Sequence, residues 1–338
     1  MCPPTVSILL PVRNGDRWLE QSLTSLARQT LHTFEIIAVD DGSVDDSGGV
    51  LDRWACEDQR FTIIHQPPSG LVPSLNRGLE LCRAPLVARM DADDVSHPRR
   101  LELQAAVLAS HPEVGVISCL VNHFPSHRVA TGFRIYEAWL NSMTTHGAMA
   151  QERFVESPIA HPSVMVRREL LTEIGGWQDV EWAEDYDLWL RLFDAGARFA
   201  KIDRFLFFWR EHGERLTRTD PRYSVPSFLR CKAHYLARGP LAGAGGVILW
   251  GAGQTGRRLS RFLMEEGVEI AAVADIDPVK IGGTLRGIPV IPPEALPTHL
   301  GEDAVVLAAV ASRGARELIR ARLIELGLEE GKTFWCVA

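Results

Sequence analysis

The feature that most constrains this chain is a short apolar run that ends in a cluster of acids, LVARMDADDVSHP at residues 86–98. Its first five residues have the length and composition of a buried strand. Residues two apart in an extended chain point the same way, so Asp91 and Asp93 face one point. Two such carboxylates repel unless a cation lies between them, and Mg²⁺ or Mn²⁺ is held by carboxylates together with substrate phosphate oxygens. The alternative interpretation is an acidic loop, including Asp94, that caps the next helix.

A second apolar run, at residues 34–39, also ends in paired acids, Asp40 and Asp41. An earlier run at residues 6–10, which Pro11 should end, reads as another buried strand, and the segments between the runs carry leucines at helical spacing. This alternation predicts an α/β protein with a parallel, doubly wound sheet, whose strand ends lie along one edge. At that edge the two acid pairs suit a nucleotide and its metal, whereas the alternative is that the first pair only shapes a turn.

Composition and charge exclude several classes of protein. The chain has 338 residues, enough for two domains, and its net charge of −7 argues against nucleic acid as the main partner. No apolar run reaches the roughly 18 residues of a membrane-spanning helix, and the N-terminus at Met1 and Cys2 does not begin a basic and then apolar leader. The six cysteines lack CxxC spacing, which indicates reduced thiols. We therefore expect a cytoplasmic protein.

Several spaced motifs then agree in order: PVRNG, VDDGSVDD, SLNRGLELCRAPLVARMDADD, HPS at residues 161–163 and EDYDLWL at residues 184–190. Together they resemble the family 2 glycosyltransferases, over about residues 6–235. The resemblance implies a GT-A-type, doubly wound mixed sheet. It also implies an inverting, metal-dependent glycosyltransferase of the hexosyltransferase type, acting in cell-surface polysaccharide or glycoconjugate synthesis. A Gln-x-x-Arg-Trp motif and membrane helices are missing, so the chain does not resemble the processive synthases of that family.

The resemblance also implies roles for individual residues. In the family, the first aspartate pair meets the nucleotide, the DxD-type motif meets metal and diphosphate, and a later Glu-Asp supplies the catalytic base. Carried over, the base is Asp185. The implied donor contacts are Pro11, Arg13, Asp40, Asp41, Asn76, Arg77 and Asp91; the metal ligands are Asp91, Asp93 and His212; the acceptor or diphosphate contacts are His161, Glu184 and Arg210.

The cofactor and partners follow from the same resemblance. We expect Mn²⁺ or Mg²⁺, a UDP- or dTDP-sugar donor, and a saccharide or lipid-linked saccharide acceptor. A homo-oligomer and a peripheral association with the inner face of the membrane stay open.

The chemistry of glycosyl transfer agrees with these roles. A divalent metal can stabilise a departing diphosphate, and the attacking hydroxyl needs a positioned base. Asp185 lies where a helix begins, and a helix N-terminus favours the ionised carboxylate that a base requires. The alternative is a structural acid at a helix start. For His161, the alternative is a histidine that is simply hydrogen-bonded in place.

The composition of the chain changes near Arg238, where a stretch of small residues begins. We predict a transferase domain at residues 1–238, a linker of small residues at 239–245 and a Rossmann-like domain at 246–338.

A predicted strand in this last domain runs directly into GAGQTG, and the next predicted strand ends at Asp275. Gly251, Gly253, Gly256 and Asp275 then match the dinucleotide-binding pattern, which predicts a nucleotide or dinucleotide site. The alternative is that the glycines only permit close packing. This domain also leaves a second function open, an NAD(P)-dependent oxidoreductase or a nucleotide-binding regulator.

Overall fold

The structure is a computed structural model that describes residues 3–301 and 303–338. The leader expectation rests on Met1 and Cys2, which lie outside the described residues. The chain divides into two compact units. The first unit comprises Met1–His146, Pro158–Val180 and Glu184–Arg218, and the second comprises Gly147–Ser157, Glu181–Ala183 and Thr219–Ala338.

Helices occur in both units. In α1 the predicted apolar face is confirmed, because Leu19, Leu23 and Leu26 are fully buried in the core of the first unit. The α-helices, in chain order, are α1 (Asp16–Ala27), α2 (Ser47–Glu57), α3 (Leu71–Leu81), α4 (Arg100–Ser110), α5 (Thr131–Ser142), α6 (His146–Glu152), α7 (Arg168–Glu173), α8 (Glu184–Asp194), α9 (Leu216–Thr219), α10 (Val225–Arg238), α11 (Gln254–Glu265), α12 (Leu296–His299) and α13 (Ala315–Glu325).

A mixed sheet forms the centre of the first unit. Short 3₁₀ turns connect parts of it, at Ser126–Arg128 and His161–Ser163. The strands, in chain order, are β1 (Val6–Val12), β2 (Phe34–Asp40), β3 (Phe61–His65), β4 (Leu86–Arg89), β5 (Val95–Ser96), β6 (Val114–Phe124), β7 (Met165–Arg167) and β8 (Arg198–Arg210).

The strand order in this sheet is β3-β2-β1-β4-β7-β6-β8-β5. The first four strands are parallel, β7 pairs antiparallel with β4 and β6, and β5 pairs antiparallel with β8. The order reverses at β1, which has β2 on one side and β4 on the other, and ligands of open α/β sheets bind at such a switch point. The predicted doubly wound, mixed sheet of GT-A type is confirmed.

The prediction that Pro11 ends the first strand is wrong, because β1 continues to Val12. Along β1, the Leu9 carbonyl accepts from the amide of Met90 on the β4 side, and the Val12 carbonyl accepts from Asp41 on the β2 side. Pro11, two residues beyond Leu9, therefore faces the β4 side. The ladder there ends at the pair Leu9–Arg89, so the amide hydrogen that proline lacks is not needed.

The second unit contains its own sheet, with the order β11-β12-β10-β9-β13-β14. Except for the β11–β12 hairpin its pairs are parallel, and the order of the parallel strands is that of a doubly wound Rossmann sheet, with the switch point between β9 and β13. The predicted Rossmann-like domain is confirmed. Its strands are β9 (Gly246–Trp250), β10 (Ile270–Ala274), β11 (Thr284–Leu285), β12 (Ile288–Ile291), β13 (Ala304–Ala308) and β14 (Phe334–Cys336).

The second unit also includes parts of the chain that precede the predicted linker at 239–245. Helix α10 packs with α11, and Lys232 of α10 donates from Nζ to the carbonyl oxygens of Val155 (2.7 Å) and Val337 (3.1 Å). Phe154 packs edge-to-face on Trp335, at 5.4 Å between ring centroids. These contacts tie the segment Gly147–Ser157 to the Rossmann-like sheet; the domain bounds predicted from sequence stay a prediction.

Two further expectations concern the whole chain. Among the described residues, no helix is both long enough and apolar enough to cross a membrane. The cysteines in the same part of the chain are unpaired, and those other than Cys56 are buried.

Candidate active site

The three acids that follow β4 form one cluster. Carboxylate oxygens of Asp91, Asp93 and Asp94 lie within 4.8 Å of one another. Burial, together with the neighbouring acids, raises the pKa of the Asp94 carboxyl well above its ordinary value, and burial also raises the pKa of Asp91. Arg89 offsets part of the repulsion between the acids, because its Nη1 lies 2.6 Å from Asp91 Oδ1. The convergence predicted from the DADD sequence is therefore present in the geometry.

His212 joins this cluster from the far end of β8. Its Nε2 lies 2.7 Å from Asp93 Oδ2, and this hydrogen bond lowers the pKa of Asp93 although burial opposes the shift. Carboxylates and an imidazole are suitable ligands for Mn²⁺, and carboxylates for Mg²⁺. Within the described residues, the buried Oδ2 of Asp94 has no hydrogen-bond partner, so one oxygen of the cluster is not used by the protein. This donor set fits a divalent cation.

Two arginines near the acids were missed by the sequence reasoning, Arg89 and Arg215. Both side chains are nearly buried, and the positive charge of Arg215 acts to lower the pKa of all three acids. Arg215 stacks on Trp209, with 4.5 Å from its Cζ to the ring centroid. A signal for Arg89 was present in the sequence, since an arginine within an apolar strand must find a buried partner.

Asp41, at the end of β2, is bound by the loop that precedes α3. Its Oδ1 accepts from the Ser69 amide (2.7 Å) and Gln66 Nε2 (2.9 Å), and its Oδ2 accepts from the Gly70 amide (2.9 Å). Burial raises the pKa of this carboxyl, but these hydrogen bonds outweigh it and lower the pKa overall. Arg13 lies 3.4 Å from Oδ2, so the structure brings two of the predicted donor contacts together.

Asp40 is also bonded within the protein. Its Oδ1 accepts from the Ser43 amide (3.0 Å), and its Oδ2 lies 2.9 Å from His65 Nδ1. Both aspartates therefore shape their turns, as the alternative interpretation required. Their contacts with a donor nucleotide, and that of Pro11 in β1, stay predictions.

Asn76 and Arg77, on α3, form contacts within the protein. The Asn76 amide donates to the Trp177 carbonyl (2.8 Å) and accepts from the Trp177 amide (2.9 Å), which fixes the chain ahead of α8. Gly176 is needed beside it, because a Cβ there would lie 2.4 Å from Asn76 Oδ1. Arg77 pairs with Glu80 at 2.9 Å on the exposed face of α3. Donor contacts from these two side chains stay predictions.

Helix α8 begins at Glu184, so Asp185 lies in its first turn as predicted. Asp185 Oδ1 accepts from the Tyr186 amide at 2.7 Å and the residue is partly exposed. A carboxylate at this position interacts favourably with the helix dipole, which stabilises its ionised form.

His161 and Glu184 are buried next to one another. Trp177 Nε1 donates to His161 Nε2 (3.0 Å), and His161 Nδ1 lies 3.8 Å from Glu184 Oε1. Burial, with the positive charge of Arg89, holds the pKa of His161 well below its ordinary value, so the ring is neutral. Since Nε2 accepts from Trp177, the ring proton is on Nδ1, facing Glu184. The residues His161–Ser163 form a 3₁₀ turn, and β7 begins after it at Met165.

The glycine motif of the second unit joins β9 to α11. A Cβ on Gly256 would lie 1.7 Å from the Gly251 carbonyl oxygen, and one on Gly251 would lie 2.7 Å from Val310, so packing explains both glycines. At Gly253 a Cβ would meet nothing within 4 Å. Asp275 accepts from the amides of Ala252 (2.6 Å) and Asp277 (2.9 Å), and Lys280 Nζ lies 3.4 Å from it. A ribose contact at Asp275 stays a prediction.

Known proteins resemble both units. The model of glycosyl transferase family 2 matches residues 7–175, and the CoA binding domain matches residues 244–338. The amylovoran biosynthesis glycosyltransferase AmsE of Erwinia amylovora is 35% identical, over 58% of this chain and 72% of its own. The putative glycosyltransferase EpsE of Bacillus subtilis is 31% identical, over 66% of this chain and 78% of its own.

Among solved structures, S. aureus TarS 1–349 in complex with UDP-GlcNAc superposes with a TM-score of 0.57 at 17% identity, covering 77% of this chain and 71% of that one. This likeness concerns the fold alone. The family match covers half of the chain, and each of the two relatives is more than 30% identical over more than two thirds of its own length. The chain belongs to glycosyl transferase family 2 and is a glycosyltransferase.

Proposed function

We propose that this protein is an inverting, metal-dependent glycosyltransferase that moves a sugar from a nucleotide-sugar donor to a hydroxyl of a saccharide or lipid-linked saccharide. The observation that carries the proposal is the convergence of His212 on the acid cluster, 119 residues away in sequence, at the edge of the sheet where β4 ends. The same sheet edge presents Asp40 and Asp41, at the end of β2. The name of the amylovoran relative supports a role in polysaccharide synthesis.

The donor is held from two sides in this proposal. Asp40, Asp41 and Arg13 take the base and ribose of a UDP- or dTDP-sugar, and Asp91, Asp93 and His212 hold Mn²⁺ or Mg²⁺ beside the diphosphate. When bound, such a cation supplies Lewis-acid stabilisation of the departing diphosphate. In this proposal Asp91 contacts both the donor and the metal, and its strand β4 is adjacent to β1 in the sheet.

The acceptor is activated by Asp185. The dipole of α8 favours the ionised form of its carboxylate, which takes the proton of the attacking hydroxyl. Neutral His161, oriented by Trp177, and Glu184 line or support the acceptor side. With one base and one leaving group, the reaction is a single in-line displacement.

A single displacement inverts the anomeric centre. An α-linked nucleotide sugar should therefore give a β-linked product, which the proton NMR coupling of the new anomeric hydrogen measures directly. Donor hydrolysis in the absence of acceptor serves as the control, because its first product should also have the β configuration before mutarotation. A product with retained configuration would overturn the assignment of a lone base.

The location that we propose is the cytoplasm, with the protein peripheral at the inner face of the membrane where a lipid-linked acceptor is used. A homo-oligomer is compatible with this location.

A second function is favoured for the C-terminal unit by its match to the CoA binding domain and by the open space at Gly253. We infer that this unit binds a nucleotide-containing ligand, such as CoA or a dinucleotide, and performs no redox chemistry. The N-terminus of α11 and the amides beside Gly253 suit a pyrophosphate.

This inference has a direct test, because Gly253 has an extended backbone and a side chain fits there within the protein. Gly253→Val should lower the melting temperature of the full-length protein only slightly, since valine is a poorer N-cap than glycine, but it should abolish the rise produced by ligand. A ligand at 100-fold its Kd stabilises the wild type by about 2.7 kcal/mol. CoA, NAD(H) and ATP are the probes for differential scanning fluorimetry. Failure of all three, or turnover of NAD(P)H, would contradict the inference.

A further inference from the structure

A long ladder with β6 holds β8, but the position of His212 relative to Asp93 depends on a very short strand pairing. β5 has only two residues, and it pairs antiparallel with β8 so that Val95 lies opposite Phe208. Continued by two residues, this register places Asp93 opposite Arg210, immediately before the segment that carries His212. A slip of one residue would turn every side chain to the other face. Two residues of ladder are little to prevent such a slip, so other contacts must hold the register.

Arg210 makes those contacts with its main chain and its side chain. Its amide donates to Asp94 Oδ1 at 2.7 Å, and its Nε donates to the carbonyl oxygen of Asp93 at 2.6 Å. Its Nη2 donates to Gln21 Oε1 of α1, also at 2.6 Å. The Nε–Nη2 edge, which an arginine offers side-on to a phosphate in a bidentate contact, is therefore already occupied by the protein.

Two aromatic rings fix the guanidinium further. The Cζ of Arg210 lies 4.2 Å from the ring centroid of Trp18 and 4.4 Å from that of Phe124, and the residue is 6% exposed. The main chain after Arg210 is held as well, since the amide of Glu211 donates to the Phe124 carbonyl at 2.8 Å. A planar guanidinium suits such stacking, whereas an ammonium group offers a point charge in its place.

We propose that Arg210 is a positioning residue, which holds His212 at ligand distance from Asp93, and that it does not bind the diphosphate. The proposal rests on the proposed function, in which Asp93 and His212 hold the metal. By joining α1, the acidic loop and the end of β8, Arg210 sets the relative position of two ligands that come from distant parts of the chain. Metal sites depend on such supporting contacts for the orientation of their ligands.

The test is the affinity for Mn²⁺ alone, measured by electron paramagnetic resonance in the absence of nucleotide. Arg210→Gln should weaken Mn²⁺ binding by roughly 10–100-fold, the usual cost of losing a supporting contact. Arg210→Lys should not restore the affinity, because it keeps the charge but loses the Nε contact and the stacking. Arg218→Gln is the matched control: it removes an arginine that donates to Glu211 at 2.8 Å on the same segment, and it should leave Mn²⁺ affinity unchanged.

A second variant keeps the test decisive if Arg210→Gln does not fold. Gln21 is exposed on α1, so Gln21→Ala should fold normally and weaken Mn²⁺ binding to a smaller, measurable extent. A wild type that binds no Mn²⁺ would overturn the metal-dependent function and this proposal with it. Unchanged Mn²⁺ affinity in both variants, or full restoration by Arg210→Lys, would overturn the proposal alone. Loss of UDP affinity with normal Mn²⁺ affinity would show that Arg210 binds the diphosphate.

Discussion

Replacing Asp185 with asparagine is expected to lower kcat by roughly 10²–10⁴-fold, the usual contribution of a general base. Asparagine has the same shape and keeps an oxygen that accepts from the Tyr186 amide, a contact of 2.7 Å in the wild type. The first turn of α8 should therefore stay intact, while the capacity to take a proton is lost. Because no donor contact is assigned to this side chain, KM for the nucleotide sugar should change little.

The measurement is steady-state kinetics with donor and acceptor varied separately, together with calorimetric titration of the nucleotide. Asp194→Asn is the matched control, since it removes an exposed acid from the last turn of the same helix, where the dipole disfavours a negative charge. A kcat within tenfold of the wild type would move the role of base to another group, and buried Glu184 would be the next residue to replace.

Much of the fold was predictable because it depends on local patterns. Each parallel strand of the first unit is an apolar run bounded by turn residues, and the helices between them carry leucines at helical spacing. The convergence of Asp91 and Asp93 followed from strand geometry, since alternate residues share a face. The strand continues past Pro11 because its neighbour β4 ends first, which is a property of the sheet and not of the local sequence.

The long-range parts of the site could not be derived from local patterns. His212 was identified through the family resemblance alone, because nothing near it in sequence indicates a metal ligand. Asn76 was also named through the resemblance, as a donor contact that stays a prediction; its side chain bonds the main chain at Trp177, 101 residues away, and no local pattern indicates that contact. Only the tertiary structure distinguishes a polar group that supports a loop from one that faces a substrate.

The extent of the second unit could not be predicted either, because long-range contacts define it. In that unit, Glu152 forms ion pairs with Arg316 and Arg320 of α13, and Phe154 packs on Trp335. These pairings join residues more than 160 positions apart, and no composition change marks the segment that makes them. A chain cut at Arg238 would leave these side chains without their partners, so the cost to stability is expected to be larger than the small-residue stretch at 239–245 suggests.

Removal of the metal is expected to abolish transfer, and Asp93→Asn should reproduce much of that loss in the presence of metal. The carboxylate of Asp93 is hydrogen-bonded to His212 at 2.7 Å and lies within 4.8 Å of the other two acids. It therefore links the acid cluster to the histidine ligand. An amide keeps the shape of this side chain but loses its charge, and neutral oxygens hold Mg²⁺ or Mn²⁺ less tightly than carboxylates. The expected result is no turnover in EDTA, with recovery on addition of excess Mn²⁺ to the wild type only.

Nucleotide binding distinguishes a loss of metal from a loss of fold. UDP affinity of the wild type should rise when Mn²⁺ is added, whereas Asp93→Asn should bind UDP equally with and without Mn²⁺, at the metal-free affinity of the wild type. Asp46→Asn removes an exposed acid at the start of α2, 67% accessible and paired with Arg53, and it should behave as the wild type in every measurement. Full activity in EDTA would overturn the metal-dependent mechanism. The cations that stabilise the leaving diphosphate would then be Arg89 and Arg215.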